Sequence, residues 1–140
     1  MQEWMIRRRR AEGGTSAVEF SIIAPVFLLL VFLIIQIGLW YFGRNVAEAA
    51  AREGVSYLRL AGNDSDPATF EPQAAKIASY YATQVGMLHN VKVTPTINVS
   101  TGRATVLVSG TLHLPGGDIR VEQSAEATLE QFRGDPRGDE

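Results

Sequence analysis

FSIIAPVFLLLVFLIIQIGLWYFG, residues 20–43, contains no charged side chain, and the reading of this stretch decides the fold. As an α-helix it rises roughly 36 Å at 1.5 Å per residue, against a hydrocarbon core of about 30 Å, so it is long enough to cross a bilayer. A buried core helix is the competing reading. That helix would need apolar neighbours on every side, and the rest of a 140-residue chain is too short to supply them. The flanks give a direction: Arg7, Arg8, Arg9 and Arg10 precede the stretch, whereas Arg44 is the first charge after it. By the positive-inside bias these four arginines are topogenic, holding the N-terminus in the cytoplasm and placing the C-terminal part outside. A cleaved secretory signal has the same basic-then-apolar order. This run exceeds an ordinary signal core, however, and Trp40, Tyr41 and Phe42 stand where small residues would mark a cut, so the segment is expected to be retained.

The helical pattern does not stop at Gly43. In RNVAEAAAREGVSYLRL, residues 44–60, Ala47, Ala50, Ala51, Gly54, Val55 and Leu58 fall on one stripe, while Arg52, Glu53 and Arg59 lie mostly off it. Glu48 and Arg52 stand four apart in the favourable order. The expectation is one helix over residues 15–60 with the span at 20–43. Its narrow stripe suits close approach of another element of the same chain or of another subunit, and the residues leave both open.

Gly62, Asn63, Asp64, Ser65, Asp66 and Pro67 are turn formers that end this rod. A second helix follows, with Pro72 in its first turn and Ala74, Ile77, Tyr81, Val85 and Leu88 at helical spacing. From Val91 the period changes to two. Val91, Val93, Ile97 and Val99 alternate with Lys92, Thr94, Thr96 and Asn98, the signature of a half-buried strand. Pro95 has no N–H for a ladder and marks this strand as an edge or a bulge. Turn residues at 100–103 and 115–118 lead into Ala104–Leu114 and Ile119–Gln131, completing a three-stranded antiparallel meander with helices on one face. The fold class is therefore α+β: one N-terminal transmembrane helix continued as a long rod, then a second helix and a small sheet. Four parts are expected: a basic leader at 1–14, the long helix at 15–60, an extracytoplasmic α+β domain at 61–132, and a disordered tail at 133–140.

Few residues suggest chemistry. The chain has no cysteine, which removes disulfides, thiolate nucleophiles and thiolate metal sites. His89 and His113 are its two histidines, one at a predicted helix end and one on a strand, without metal-ligand spacing. Asp64, Asp66 and Glu71 depart from the EF-hand pattern and lack its glycine. Glu122, Glu126 and Glu130 read as a solvated strand face. No nucleophile elbow, P-loop or dinucleotide turn is present. No enzyme, cofactor, metal or small-molecule substrate is indicated. Arg133-Gly134-Asp135 and Arg137-Gly138-Asp139 repeat an adhesion-type tripeptide, for which chance in a charged tail is sufficient explanation.

One acid is misplaced by these rules. Glu19 stands at the mouth of the span, where a carboxylate costs energy that grows to about 2.5–3.5 kcal/mol at the bilayer centre. Were the chain cut after Gly14, the new α-amino group of Thr15 would lie one helical turn from Glu19 and supply a counter-charge. The start of the helix dipole would favour the acid as well. A neighbouring subunit's amine would serve equally.

A basic leader, Gly14, then Thr15 to Glu19 and the aromatic Phe20 resemble the processing sites of prepilins, which a membrane-embedded aspartyl peptidase cuts after the glycine. The fuller run GTSAVEFSIIAPVFLLLVFLIIQIG, followed by NVAEAAAREGVSYL, resembles the TadE-like family, pseudopilins of tight-adherence (Flp, type IVb) pilus systems. The resemblance covers Gly13 to Leu60. Phe20 replaces the tyrosine usual in major Flp pilins, and the chain is longer than those pilins; both departures point to a minor component.

What the resemblance implies is a minor pilin or pseudopilin of the bacterial cytoplasmic membrane, with a pilin-like rod. Its implied partners are the prepilin peptidase, other pilins and the pilus assembly machinery. Helix packing would involve Gln36, Gly38, Gly43, Ala47, Ala50, Ala51 and Gly54. The lipid bilayer is a further partner. Pro25 would loosen the span locally. An uncleaved anchor presenting a small envelope-binding or structural domain is the alternative. A membrane-tethered hydrolase ranks behind both, for want of a catalytic constellation. Arg7–Arg10 against Glu3 and Glu12 make the leader +2, so trimming would take the chain from −2 to −4, a balance that disfavours nucleic acid as a partner.

Overall fold

The computed structural model describes residues 3–130, with side chains from Ser16 onward except that of Asn63. The side chains of Arg7–Arg10 and Thr15, and the tail read at 133–140, lie outside the described residues. Helix α1 spans Glu3–Leu58, starting upstream of the Thr15 assigned from the sequence. A 3-10 turn at Arg59–Asn63 closes it, and a second at Pro67–Phe70 leads into α2, Glu71–Tyr80, which ends in a π turn at Tyr81–Val85. Strands β1 (His89–Asn98), β2 (Arg103–Leu114) and β3 (Gly117–Thr128) form one antiparallel sheet in the order β1-β2-β3. This is the expected α+β architecture. The chain divides into two compact units between Gly38 and Leu39.

In the N-terminal unit, Ala, Leu, Ile and Phe sustain the helix, and Pro25 sits inside it without ending it. Proline has no N–H to give the carbonyl four residues back, so one rung is missing there. The Ser21 hydroxyl donates to the Ala17 carbonyl at 2.9 Å, a bond that keeps this polar group satisfied within its own helix.

In the C-terminal unit the core forms where α1 and α2 meet the sheet. Ala47, Ala50, Ala51, Val55 and Leu58 are buried together with Ala104, Val106, Val108, Leu112 and Val121, the inward set of β2 and β3. Leu58, Val106 and Val108 are the largest fully buried side chains, each contributing about 1.5–3 kcal/mol by burial. The second helix buries Ala74, Ala78 and Ala82, whereas Ile77 and Tyr81 are half-buried and Val85 is exposed. Of the expected stripe, Ala74 and Leu88 are buried, while Ile77, Tyr81 and Val85 give way to Ala78 and Ala82. The reason is the narrow gap to α1: a Cβ added at Gly54 would lie 3.1 Å from Ala78 Cβ and 3.3 Å from the Ala74 carbonyl oxygen. Larger residues on that line would force the helices apart.

The strand register follows the alternation. Val93, Val108 and Gln123 form one row, and Pro95, Val106 and Ala125 the next. Strand β1 is an edge, as Pro95 implies, and its register shifts between His89 and Lys92. The Ile97 amide donates to Glu71 Oε1 at 3.3 Å, so α2 occupies part of that edge. Val99, expected on the strand face, lies in the turn and is exposed. Gly102 turns that hairpin at φ +63°, where a side chain would be strained. Beyond β3 the chain returns to α1: the Glu130 amide donates to the Arg59 carbonyl at 3.0 Å, and Gly62 faces the Glu130 main chain with no room for a Cβ.

Candidate membrane anchor and assembly surface

Among the described residues, the large apolar side chains of the first unit are mostly exposed. Phe20 is 72% exposed, and Ile22, Ile23, Val26, Phe27 and Leu28 are exposed alongside it. The helical stretch Ser16–Gly62 contains a window long and apolar enough to cross a membrane, none of it buried inside the protein. Exposure of so many large apolar side chains is stable only when something other than water covers them. Glu19 is exposed on the same helix, and among the described side chains none pairs with its carboxylate. Gly14 and Thr15 fall on α1, one turn before Glu19.

The residues expected to pack helices separate into two groups. Gly43, Ala47, Ala50, Ala51 and Gly54 turn inward on the chain's own sheet and α2; a Cβ at Gly43 would lie 3.0 Å from Leu112 Cδ2. Between the two uses left open by the sequence, the outer stripe is thus occupied within the chain. Gly38 faces open space, and Gln36 is half-buried. Trp40, Tyr41 and Phe42 are exposed, and the Arg44 guanidinium lies 5.1 Å from the Trp40 ring centre. An aromatic group with a cation over it at the end of an apolar run is the arrangement favoured at a lipid headgroup layer.

Strand pairing brings together residues that the sequence kept apart. His89 is the first residue of β1 rather than a helix end, and its ring lies 4.4 Å from that of His113. His113 Nδ1 contacts the Asp118 carboxylate across the β2–β3 hairpin. Antiparallel register creates this cluster, and no spacing in the sequence announces it. Among the described residues, no group of three or more His, Asp or Glu is arranged to hold a metal. Two acids of the 61–71 loop are otherwise engaged: Asp64 Oδ1 accepts from the Asp66 amide at 3.0 Å, and Glu71 Oε1 accepts from the Ile97 amide. Glu126 pairs with Arg103 and Glu130 with Arg59, both on the surface, where such pairs stabilise little. An open groove of about 410 Å³ between α1 and α2 is lined by Glu53, Gln73, Lys76, Ile77, Tyr80 and Tyr81.

One apolar helix long enough to cross a membrane, together with a small α+β unit, fits the class of single-pass membrane proteins. Residues 14–56 match the family model described as TadE-like protein, and this segment is similar to that family. The match covers the anchor and most of the buried stripe. No curated protein and no solved structure matches the chain.

Proposed function

We propose that the chain is a minor pilin or pseudopilin of a tight-adherence pilus, cut after Gly14 by a prepilin peptidase and assembled through its N-terminal helix. The carrying observation is the coincidence of three features on one segment. The TadE-like match begins at residue 14, Glu19, which pairs with none of the described side chains, lies five residues beyond it, and exposed apolar side chains run on from there. Cleavage would put an ammonium group beside Glu19 and remove the arginines that set orientation, with the N-terminus cytoplasmic and the α+β unit outside. The TadE-like similarity associates the chain with pilus machinery in general. The partners in this reading are the peptidase, other pilins or pseudopilins, and the lipid bilayer. Its role is non-enzymatic. Because the stripe from Gly43 to Gly54 is occupied by the chain's own domain, contacts to other subunits fall to the apolar face before Leu39.

The test is an intact-mass measurement on protein co-produced with its peptidase. Loss of residues 1–14, and their retention in Gly14→Leu, is the expected result. A mature chain that still begins at Met1 beside an active peptidase leaves the uncleaved anchor as the function.

A further inference from the structure

The outer unit has two unlike ends. Near Arg59 the surface is polar: Asp64, Ser65 and Asp66 form one loop, and Asn98 binds Ser100 and Thr101 in the turn between β1 and β2. The other end is reached by following β2 along α1. A Cβ at Gly54 would meet Val106, and one at Gly43 would meet Leu112. Between these points the helix advances about 16 Å and the strand about 20 Å, so β2 runs antiparallel to α1, toward its apolar part. Two residues further, Leu114 comes level with Leu39, which packs on the same core. The hairpin turn Pro115-Gly116 lies beyond it. The domain's core therefore overlaps the last turn of the uncharged run.

The turn itself is uncharged, with the exposed His113–Asp118 pair at its base. Leu114 to Gly117 carries no charge, and Ile119, paired with Leu112, is partly exposed. On the other side of the unit α2 returns toward the same end. Gly86 is pressed against Val46 so tightly that a Cβ would lie 1.9 Å from Val46 Cγ1, and the residues flanking it point outward: Val85 is 53% and Met87 72% exposed. Met87 has φ +52°, an uncommon conformation for a side-chain-bearing residue. Arg44 stands two residues before Val46 on α1, with its guanidinium over Trp40, and Trp40 and Tyr41 are exposed.

We propose that this end of the outer unit is itself a membrane-contact surface. The hairpin tip Leu114–Gly117 and the Val85–Met87 turn rest in the lipid headgroup layer around Trp40 and Arg44, a second contact in addition to the spanning helix. The occupant is a lipid surface because the outer unit itself exposes Trp40, Tyr41 and Phe42, with the Arg44 guanidinium over Trp40, an arrangement suited to a headgroup layer. Residues 20–38, the part of the uncharged run that belongs to the N-terminal unit, rise roughly 28 Å, which matches the hydrocarbon thickness without Leu39–Gly43. The contact would restrain the orientation of the domain relative to the bilayer. This inference rests on the membrane reading of α1.

The absence of native cysteine makes the test direct. Full-length chain in vesicles of phosphatidylethanolamine and phosphatidylglycerol is labelled with an environment-sensitive fluorophore at Met87→Cys or Pro115→Cys. Thr101→Cys serves as the polar-end control and Leu30→Cys as the span control. Nitroxide-bearing lipids should quench the labels at 87 and 115 several-fold more than that at 101, with blue-shifted emission. Quenching at 87 and 115 no greater than at 101, while position 30 is quenched, overturns the proposal and leaves the anchor intact. Loss of quenching at position 30 as well overturns both. If the Pro115 variant fails to fold, Met87→Cys carries the test, since that side chain packs little within the protein.

Discussion

Gly54 of α1 faces Ala78 of α2 at a separation tighter than ordinary packing: an added Cβ would stand 3.1 Å away and would also meet the Ala74 carbonyl at 3.3 Å. A glycine inside a helix ordinarily costs about 1 kcal/mol relative to alanine, so its presence here reflects the close approach. Gly54→Leu should destabilise the outer unit by about 1–3 kcal/mol through overpacking. Thermal unfolding in detergent measures this. Gly38→Ala, where the added Cβ meets nothing within 4 Å, should leave the same transition unchanged.

The contact of Gly86 with Val46 offers a paired test. Gly86→Ala drives a methyl group into Val46 and toward the Ala82 carbonyl at 2.8 Å. The expected loss is about 1–3 kcal/mol. Val46→Ala should recover part of it in the double variant, because one of the two clashes disappears. A double-mutant cycle on chemical unfolding reads the coupling, and strictly additive losses would show that the two residues do not meet.

Glu71 guards the free side of β1. Its carboxylate accepts the Ile97 amide, an edge group that would otherwise face solvent or another strand. Glu71→Ala should speed hydrogen exchange at Ile97 and cost about 0.5–1.5 kcal/mol, the usual net value of one such bond. Glu71→Gln, which keeps an acceptor oxygen, should retain most of the protection. Unchanged exchange at Ile97 in the alanine variant would remove the capping role.

Glu19 is the residue on which assembly depends in the proposed function. Glu19→Ala should insert into the membrane as well as the parent chain does, since it removes a charge that is costly to bury. Its incorporation into pilus assemblies should fall, as measured by shear-released fractions. Incorporation equal to that of the parent would dismiss a pairing role for the acid.

Much of the architecture was legible from residue patterns. The uncharged run at 20–43 identified the apolar helix, and the change from helical to two-residue periodicity near Val91 located the sheet. Pro95 indicated an edge, and the strand order places β1 there. The second helix was misread in detail. Ala74 and Leu88 are buried as expected, but Ala78 and, in the π turn, Ala82 take the inward places expected of Ile77, Tyr81 and Val85, because the distance to Gly54 selects size ahead of hydrophobicity. The His89–His113 contact was equally hidden, since register between strands depends on pairing between distant residues.

By itself, the sequence determined that one helix is too apolar for water and that its flanks are charged unequally. Both follow from composition over a short window, where solvation free energy adds residue by residue. Only the tertiary structure decided which small residues of α1 are occupied by the chain's own sheet and how far along α1 that sheet reaches. Those outcomes depend on the fit of distant surfaces within a few tenths of an ångström, at Gly43 against Leu112 and at Gly86 against Val46, and no local pattern encodes such a distance.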